Sequence, residues 1–255
     1  MPHTASDWRR PDGRDFDQLR EIRIEPNVAE HAEGSALVSY GKTKVLCTAT
    51  FEAKPPSWLL GSDRGWVTAE YGMLPRSTHQ RMKRDKTLSG GRTQEISRLI
   101  GRSLRAAVDL RKMPERQIII DCDVINADGG TRTAAVTGGF VALALTLDRL
   151  YKLGEIKSQP LIRYIAAVSV GIHKSHLLLD LNYEEDSAIG TDMNFVMTDA
   201  GEFVEVQGTA EDSPFRKEQL FTMMDLAERG CRQLFAAQAE HVGHLLSLQK
   251  IQLER

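Results

Sequence analysis

Two short segments of this chain share one design: glycines, then Arg-Thr, then a helix-like pattern. The first is Gly90-Gly91-Arg92-Thr93, between Ser89 and Gln94-Glu95. The second is Asp128-Gly129-Gly130-Thr131-Arg132-Thr133, which breaks a β-branched run starting at Gln117 and opens a small-residue apolar stretch from Ala134. A glycine turn leading into a helix N-terminus presents backbone N–H groups and the positive end of the helix dipole to an anion. An arginine there adds a planar, permanent charge that suits phosphate oxygens. Arg92, Gly130, Thr131 and Arg132 are therefore candidate phosphate ligands. Neither segment is a Walker A loop or a G-x-G-x-x-G fingerprint. A tight reversal built on glycines would look the same, but two such helix openings in one chain favour a shared anion.

The acidic counterpart lies further on. Tyr183-Glu184-Glu185-Asp186 and Asp192-Met193-Asn194 flank the short linker Ser187-Ala188-Ile189-Gly190-Thr191. Carboxylates on both sides of a loop can point into one cleft, where Asp186 and Asp192 would hold a divalent cation or divide acid and base roles. As plain turn and cap residues they would need no such role. Beside two phosphate-type arginines, they describe phosphoryl chemistry assisted by Mg²⁺.

These residues must be carried by definite elements. Ile118–Ile125 reads as a strand and Thr133–Tyr151 as the helix after it. From about Thr93 to Leu110 a helix places Ile96, Leu99, Ile100, Leu104, Ala107 and Val108 on one face, with Arg98, Arg102 and Arg105 on another. That basic stripe suits either a phosphate-bearing partner or solvent. A hairpin across Tyr40-Gly41-Lys42-Thr43 joins Ala36–Ser39 to Val45–Thr50. Leu161–Ile172, Leu177–Leu181 and Asn194–Met197 read as strands, and Asp199-Ala200-Gly201-Glu202 as a turn. Ser213-Pro214 supplies a cap and an N1 proline for a last helix, with Leu220, Phe221, Met224 and Ala227 facing inward. Strands followed by a helix occur in both halves, which hints at duplication, and Pro160 marks the seam.

Composition sets the outer bounds. With 255 residues, 41% hydrophobic and 27% charged, the chain can bury a full core and fits one large domain. Its halves run about 10–159 and 160–238, with a tail over 239–255. Cys47, Cys122 and Cys231 are widely separated, which speaks against a disulfide framework and for a reducing cytoplasm. The N-terminus has no hydrophobic signal region, and the longest apolar run, Phe140–Leu147, is too short to span a membrane. Net charge is only −2, but residues 76–116 hold 12 Lys/Arg against 4 Asp/Glu, and residues 180–228 hold 2 against 13. A basic block suited to a phosphate backbone and an acidic block suited to metal therefore coexist.

The ordered motifs resemble the ribonuclease PH family of phosphate-dependent 3′-to-5′ exoribonucleases. They include Arg10-Pro11-Asp12-Gly13-Arg14, His31-Ala32-Glu33-Gly34-Ser35, Thr43-Lys44-Val45-Leu46-Cys47-Thr48-Ala49 and Thr68-Ala69-Glu70-Tyr71-Gly72-Met73-Leu74-Pro75-Arg76-Ser77-Thr78. The set continues through Gly90-Gly91-Arg92-Thr93, Asp121-Cys122-Asp123-Val124, Ala127-Asp128-Gly129-Gly130-Thr131-Arg132-Thr133 and Glu185-Asp186-Ser187-Ala188. It closes with Thr191-Asp192-Met193-Asn194 and Glu205-Val206-Gln207-Gly208-Thr209-Ala210-Glu211. Single motifs would be weak, but their order over residues 10–228 is specific. Small departures are Glu21-Ile22, a short stretch between Arg84 and Gly90, and an unmatched tail beyond Ala236.

The resemblance implies an α/β (α+β) two-layer fold like the second domain of ribosomal protein S5, with mixed sheets packed against helices. It implies that Arg92 and Gly130-Thr131-Arg132 hold attacking inorganic phosphate, and that Asp186 and Asp192 bind Mg²⁺ and assist proton transfer. Arg76, Arg81 and Arg84 would hold the body of tRNA. The implied activity is that of a tRNA nucleotidyltransferase, trimming tRNA precursor 3′ ends by reversible phosphorolysis and releasing nucleoside diphosphates, within a hexameric ring of three dimers. The competing expectation is a non-catalytic RNA-binding ring subunit of the same fold.

Overall fold

The computed structural model describes residues 8–84, 90–173, 176–210 and 214–245; Ser89, Ser213 and the end of the tail lie outside the described residues. Strands β1 (Ile22–Pro26), β2 (Gly34–Tyr40) and β3 (Thr43–Glu52) come first. The expected hairpin joins the last two, with Tyr40 opposite Thr43. Next come strand β4 (Trp66–Met73), helix α1 (Gly91–Arg105), strand β5 (Gln117–Asn126) and helix α2 (Thr131–Lys152). The first sheet has the order β1-β2-β3-β5-β4, and its β4–β5 pair is parallel. Parallel strands need a crossover, and α1 lies within it.

Beyond Pro160 lie β6 (Ile165–His173), β7 (His176–Leu179), a one-turn helix α3 (Tyr183–Asp186), β8 (Thr191–Thr198), β9 (Phe203–Ala210) and helix α4 (Lys217–Val242). These four strands form an antiparallel sheet in the order β7-β6-β8-β9. One continuous hydrophobic core spans both sheets.

Helix α2 packs against strands of both sheets, so it is apolar nearly all round rather than along one stripe. Small residues let it seat closely. A side chain at Gly138 would put its Cβ 2.6 Å from Val38 Cγ1 and 3.0 Å from Cys47 Sγ. This helix is long and apolar enough to cross a membrane, yet 83% of its most apolar window is buried inside the protein. Tyr40 donates to Thr137 Oγ1 at 2.7 Å, and Gln238 Nε2 donates to the carbonyls of Thr137 and Ile165. These bonds tie α2 to β2, β6 and α4, and so fix the depth at which the α2 N-terminus emerges.

Several boundaries differ from the sequence reading. Helix α1 stops at Arg105, and Ala107 and Val108 stay buried through a turn that leads to a 3₁₀ segment at Leu110–Lys112. Leu161 makes only an isolated bridge to Val108, and the regular strand starts at Ile165. Strand β7 ends at Leu179 because Asp180 adopts φ +56. The last helix begins at Lys217, capped by Arg216 and Gln219, rather than at Pro214. Its inward face carries Met223, Leu226, Ala227, Cys231 and Leu234, while Phe221 is 51% exposed. Phe221 instead lies under the Lys217 ammonium, 5.4 Å from its ring.

Candidate phosphate and carboxylate site

Both glycine-arginine segments open helices. Gly130 (φ +63) is the N-cap of α2 and Gly90 that of α1; neither start has a side-chain cap or an acidic residue in its first turn. The leading backbone N–H groups of α2 are thus left without a side-chain acceptor, which suits an anion. Arg92 is exposed at the second position of α1.

Tyr71, on β4, contacts the α2 start and lines a cavity with Arg92 and Thr93 of the α1 start. Its side chain is buried, and its hydroxyl lies 2.8 Å from Thr131 Oγ1. Burial pushes its ionisation up, against the bond to Thr131 and the positive fields of both Arg92 and Arg132. The two arginines therefore converge on one region. Arg132 Nη1 donates to Gln207 Oε1 at 2.6 Å and lies 3.8 Å from Glu95 Oε1, and Gln207 Nε2 donates to Glu95. This triad holds the Arg132 fork between α1 and β9.

The carboxylates approach from the other sheet. Asp186 ends α3, which is fixed by a capping box: Asn182 Oδ1 accepts from Glu185 N, and Glu185 Oε2 accepts from Asn182 N. Asp192 sits within strand β8, opposite Gly171 and Thr209, rather than in a turn. Desolvation and the neighbouring Asp192 push the Asp186 carboxyl up, opposed by Arg92, Arg132 and Arg20. All four expected residues thus share one electrostatic neighbourhood. Among the described residues no cluster of three or more His, Cys, Asp or Glu could enclose a metal ion. Two carboxylates fit Mg²⁺, which commonly takes one or two and completes its shell with water and phosphate oxygens.

Arg76, Arg81 and Arg84 are exposed on the segment after β4. Arg76 donates to His79 O. Arg81 is not remote from the α1 start: with Tyr71, Met73, Arg92 and Thr93 it lines a cavity of about 330 Å³. The stripe on α1 is partly engaged. Arg102 pairs with Glu205 at 2.8 Å, and the Arg105 guanidinium sits 4.2 Å above the Trp66 ring.

Sequence reasoning gave no role to Tyr71, Glu95 or Gln207, nor to a buried cluster of Arg10, Arg14 and Arg20 with Asp180 and Glu185. The Arg10–Arg14 motif marked part of that cluster. Its partners, about 170 residues away, carried no periodic signal.

Fold and site together bring two arginines at helix starts, Arg92 and Arg132, into the neighbourhood of Asp186 and Asp192. The chain belongs to the 3′ exoribonuclease family: the model of domain 1 matches residues 18–147 and that of domain 2 matches residues 163–230. It is 70% identical over 239 residues to Ribonuclease PH of Bdellovibrio bacteriovorus, covering 94% of this chain and 98% of the relative. Among solved structures it resembles an Archaeoglobus fulgidus exosome with RNA bound to the active site (TM-score 0.75, 26% identity, 90% and 92% of the two chains). An archaeal exosome core matches with TM-score 0.73 at 25% identity, over 91% of each chain. Rice Rrp46, at 20% identity and TM-score 0.71, over 90% of this chain and 98% of that one, shares the fold.

Proposed function

We infer that this chain is a phosphorolytic 3′-to-5′ exoribonuclease of the tRNA nucleotidyltransferase type. The observation that carries this is the gathering of Arg92 and Arg132, at two helix starts that flank Tyr71, with Asp186 in the same field. Inorganic phosphate is the co-substrate and an RNA 3′ end is the substrate. A phosphate oxygen attacks the phosphorus of the last phosphodiester in line. The bond from phosphorus to the upstream 3′ oxygen breaks, that oxygen takes up a proton, and a nucleoside diphosphate leaves. Because one phosphate bond replaces another, the reaction is reversible.

Arg92, Arg132 and the N–H groups of the Gly130-Thr131 turn offset the repulsion between attacking phosphate and RNA phosphate. Such positioning and charge compensation account for most of the catalysis in phosphoryl transfer. Asp186 and Asp192 would hold Mg²⁺, which when bound supplies further positive charge to the reacting oxygens. The raised Asp186 carboxyl is suited to exchange a proton near the leaving oxygen.

Arg76, Arg81 and Arg84 would grip the folded body of a tRNA precursor. We place the active form in a hexameric ring of three dimers, in keeping with the exosome likenesses. The three free, buried cysteines suit the reducing cytoplasm. The continuous core supports treating residues 10–238 as one unit of two halves.

Incubating the protein with RNA and inorganic phosphate, then identifying the released nucleotide, tests this reading. Diphosphates released only in the presence of phosphate are expected, together with loss of turnover in Arg92→Ala while RNA binding persists. Monophosphates in phosphate-free buffer would mean a hydrolase, and no release at all would favour a non-catalytic ring subunit.

A further inference from the structure

Residues 8–20 form neither strand nor helix, yet they carry three arginines whose side chains are at most 9% exposed. The carboxylates they share, Asp180 and Glu185, lie in the other half of the chain, and Arg14 also pairs with Asp12 at 2.7 Å. Arg10 grips Glu185 with two charge-assisted bonds, Nε to Oε1 at 2.6 Å and Nη2 to Oε2 at 2.7 Å. It also donates to the carbonyls of Leu179 and Asp180. Arg14 lies 3.6 Å from Asp180 Oδ2 and 3.4 Å from Glu185 Oε2.

Arg20 reaches furthest. Its Nε donates to Asp180 Oδ2 at 3.0 Å and its Nη2 to Asp180 Oδ1 at 2.7 Å. Its Nη1 donates to Asp128 O, and Nη2 also reaches Gly129 O at 3.4 Å. One guanidinium therefore spans the end of β7 and the glycine turn that opens α2. The turn lies directly on the start of α3, since a Cβ on Gly129 would fall 2.5 Å from Leu181 O and 2.6 Å from the Asn182 carbonyl carbon.

Asp180 is fully buried and adopts φ +56, a conformation disfavoured for a side chain-bearing residue. Such strain persists only where the surroundings over-determine it, and it concentrates at functional sites. Burial alone would push its carboxyl up, but Arg20 and Arg14 hold it below the usual range. Buried ion pairs are poor sources of stability compared with apolar packing. What a planar fork with fixed acceptors adds is geometry.

We propose that the buried Asp180–Arg20 pair is a positioning element that holds the phosphate turn at a set distance from the Asp186-bearing helix. The Arg10–Glu185 pair anchors the same helix. Neither Asp180 nor Arg20 touches substrate; both act through the backbone of Asp128, Gly129 and α3. This assignment rests on the phosphorolysis reading above. It predicts that phosphate affinity depends on a residue that never meets phosphate.

The test compares Asp180→Asn and Arg20→Lys with Leu234→Ala, a core truncation on α4 that destabilises without approaching the site. Phosphorolysis is measured with phosphate varied at saturating RNA and with RNA varied at saturating phosphate, alongside Tm. Calorimetry with inorganic phosphate alone gives an independent binding constant. Both pair variants should weaken phosphate binding and raise its KM by about 10- to 100-fold, the range found for outer-shell positioning groups. They should leave KM for a short RNA near the wild-type value. Leu234→Ala should lower Tm at least as far with phosphate binding unchanged. Wild-type phosphate affinity in the pair variants overturns the proposal, as does an equal loss in Leu234→Ala. Should Asp180→Asn fail to fold, Arg20→Lys decides, because it keeps the charge beside Asp180 while losing the fork. A wild-type protein that binds phosphate but releases no diphosphates would refute the enzymatic reading instead.

Discussion

Replacing Gly129 with alanine separates backbone strain from steric collision at the phosphate turn. Gly129 has φ +71, and its missing Cβ would meet Leu181 O at 2.5 Å, the Asn182 carbonyl carbon at 2.6 Å and Tyr183 N at 2.8 Å. All three are backbone atoms, so no side chain can swing aside. The left-handed conformation costs an alanine about 1–2 kcal/mol, and overpacking adds about 1–3 kcal/mol. Gly154→Ala is the control, because Gly154 has φ +77 but nothing within 4 Å of the added carbon. Gly154→Ala should therefore lose only the conformational part. At about 2–4 °C per kcal/mol for a chain of this size, Gly129→Ala should lower Tm by roughly 4–20 °C and Gly154→Ala by roughly 2–8 °C. Thermal melts read the stability, and phosphorolysis with varied phosphate reads the turn. Phosphate KM should rise in Gly129→Ala only, since relief of the clash must separate the turn from α3. Equal Tm losses with unchanged phosphate KM in both variants would refute the backbone-against-backbone account.

Asp192→Asn should reduce Mg²⁺-dependent turnover by several orders of magnitude with the fold intact, as far-ultraviolet dichroism and single-turnover assays would show. Asp186→Asn should lose activity while gaining thermal stability at neutral pH, because ionised Asp186 is unfavourable in the folded protein. A raised folded pKa means that stability falls as pH rises through the window between the unfolded and folded values; the variant's advantage should therefore vanish below the ordinary aspartate range, near pH ~3.9. Changing Arg76, Arg81 and Arg84 together to alanine should weaken binding of tRNA precursors and flatten its salt dependence. Since Arg81 shares a cavity with Arg92, some loss on short RNA is also expected. Restoring Arg81 alone should recover that part, and sedimentation should exclude a change in assembly.

The candidate site residues stood out in the sequence because they sit at local signals: glycines before Arg92 and Arg132, and acids around the linker that follows α3. The buried face of α1 was legible too, since Ile96, Leu99, Ile100 and Leu104 repeat at helical spacing and all are buried. Local pattern failed where two faces competed. Met223 and Leu226 turned inward on α4, and Phe221 went to the surface beneath Lys217. Tertiary structure alone decided how the two halves of the site are held together. Arg20 meets Asp180 across 160 residues, and Arg132 meets Gln207 across 75. Such pairs have no period and no fixed spacing. They form because a buried or half-buried charge must find a counter-charge or a hydrogen-bond acceptor, and only the packed chain determines which one lies within reach.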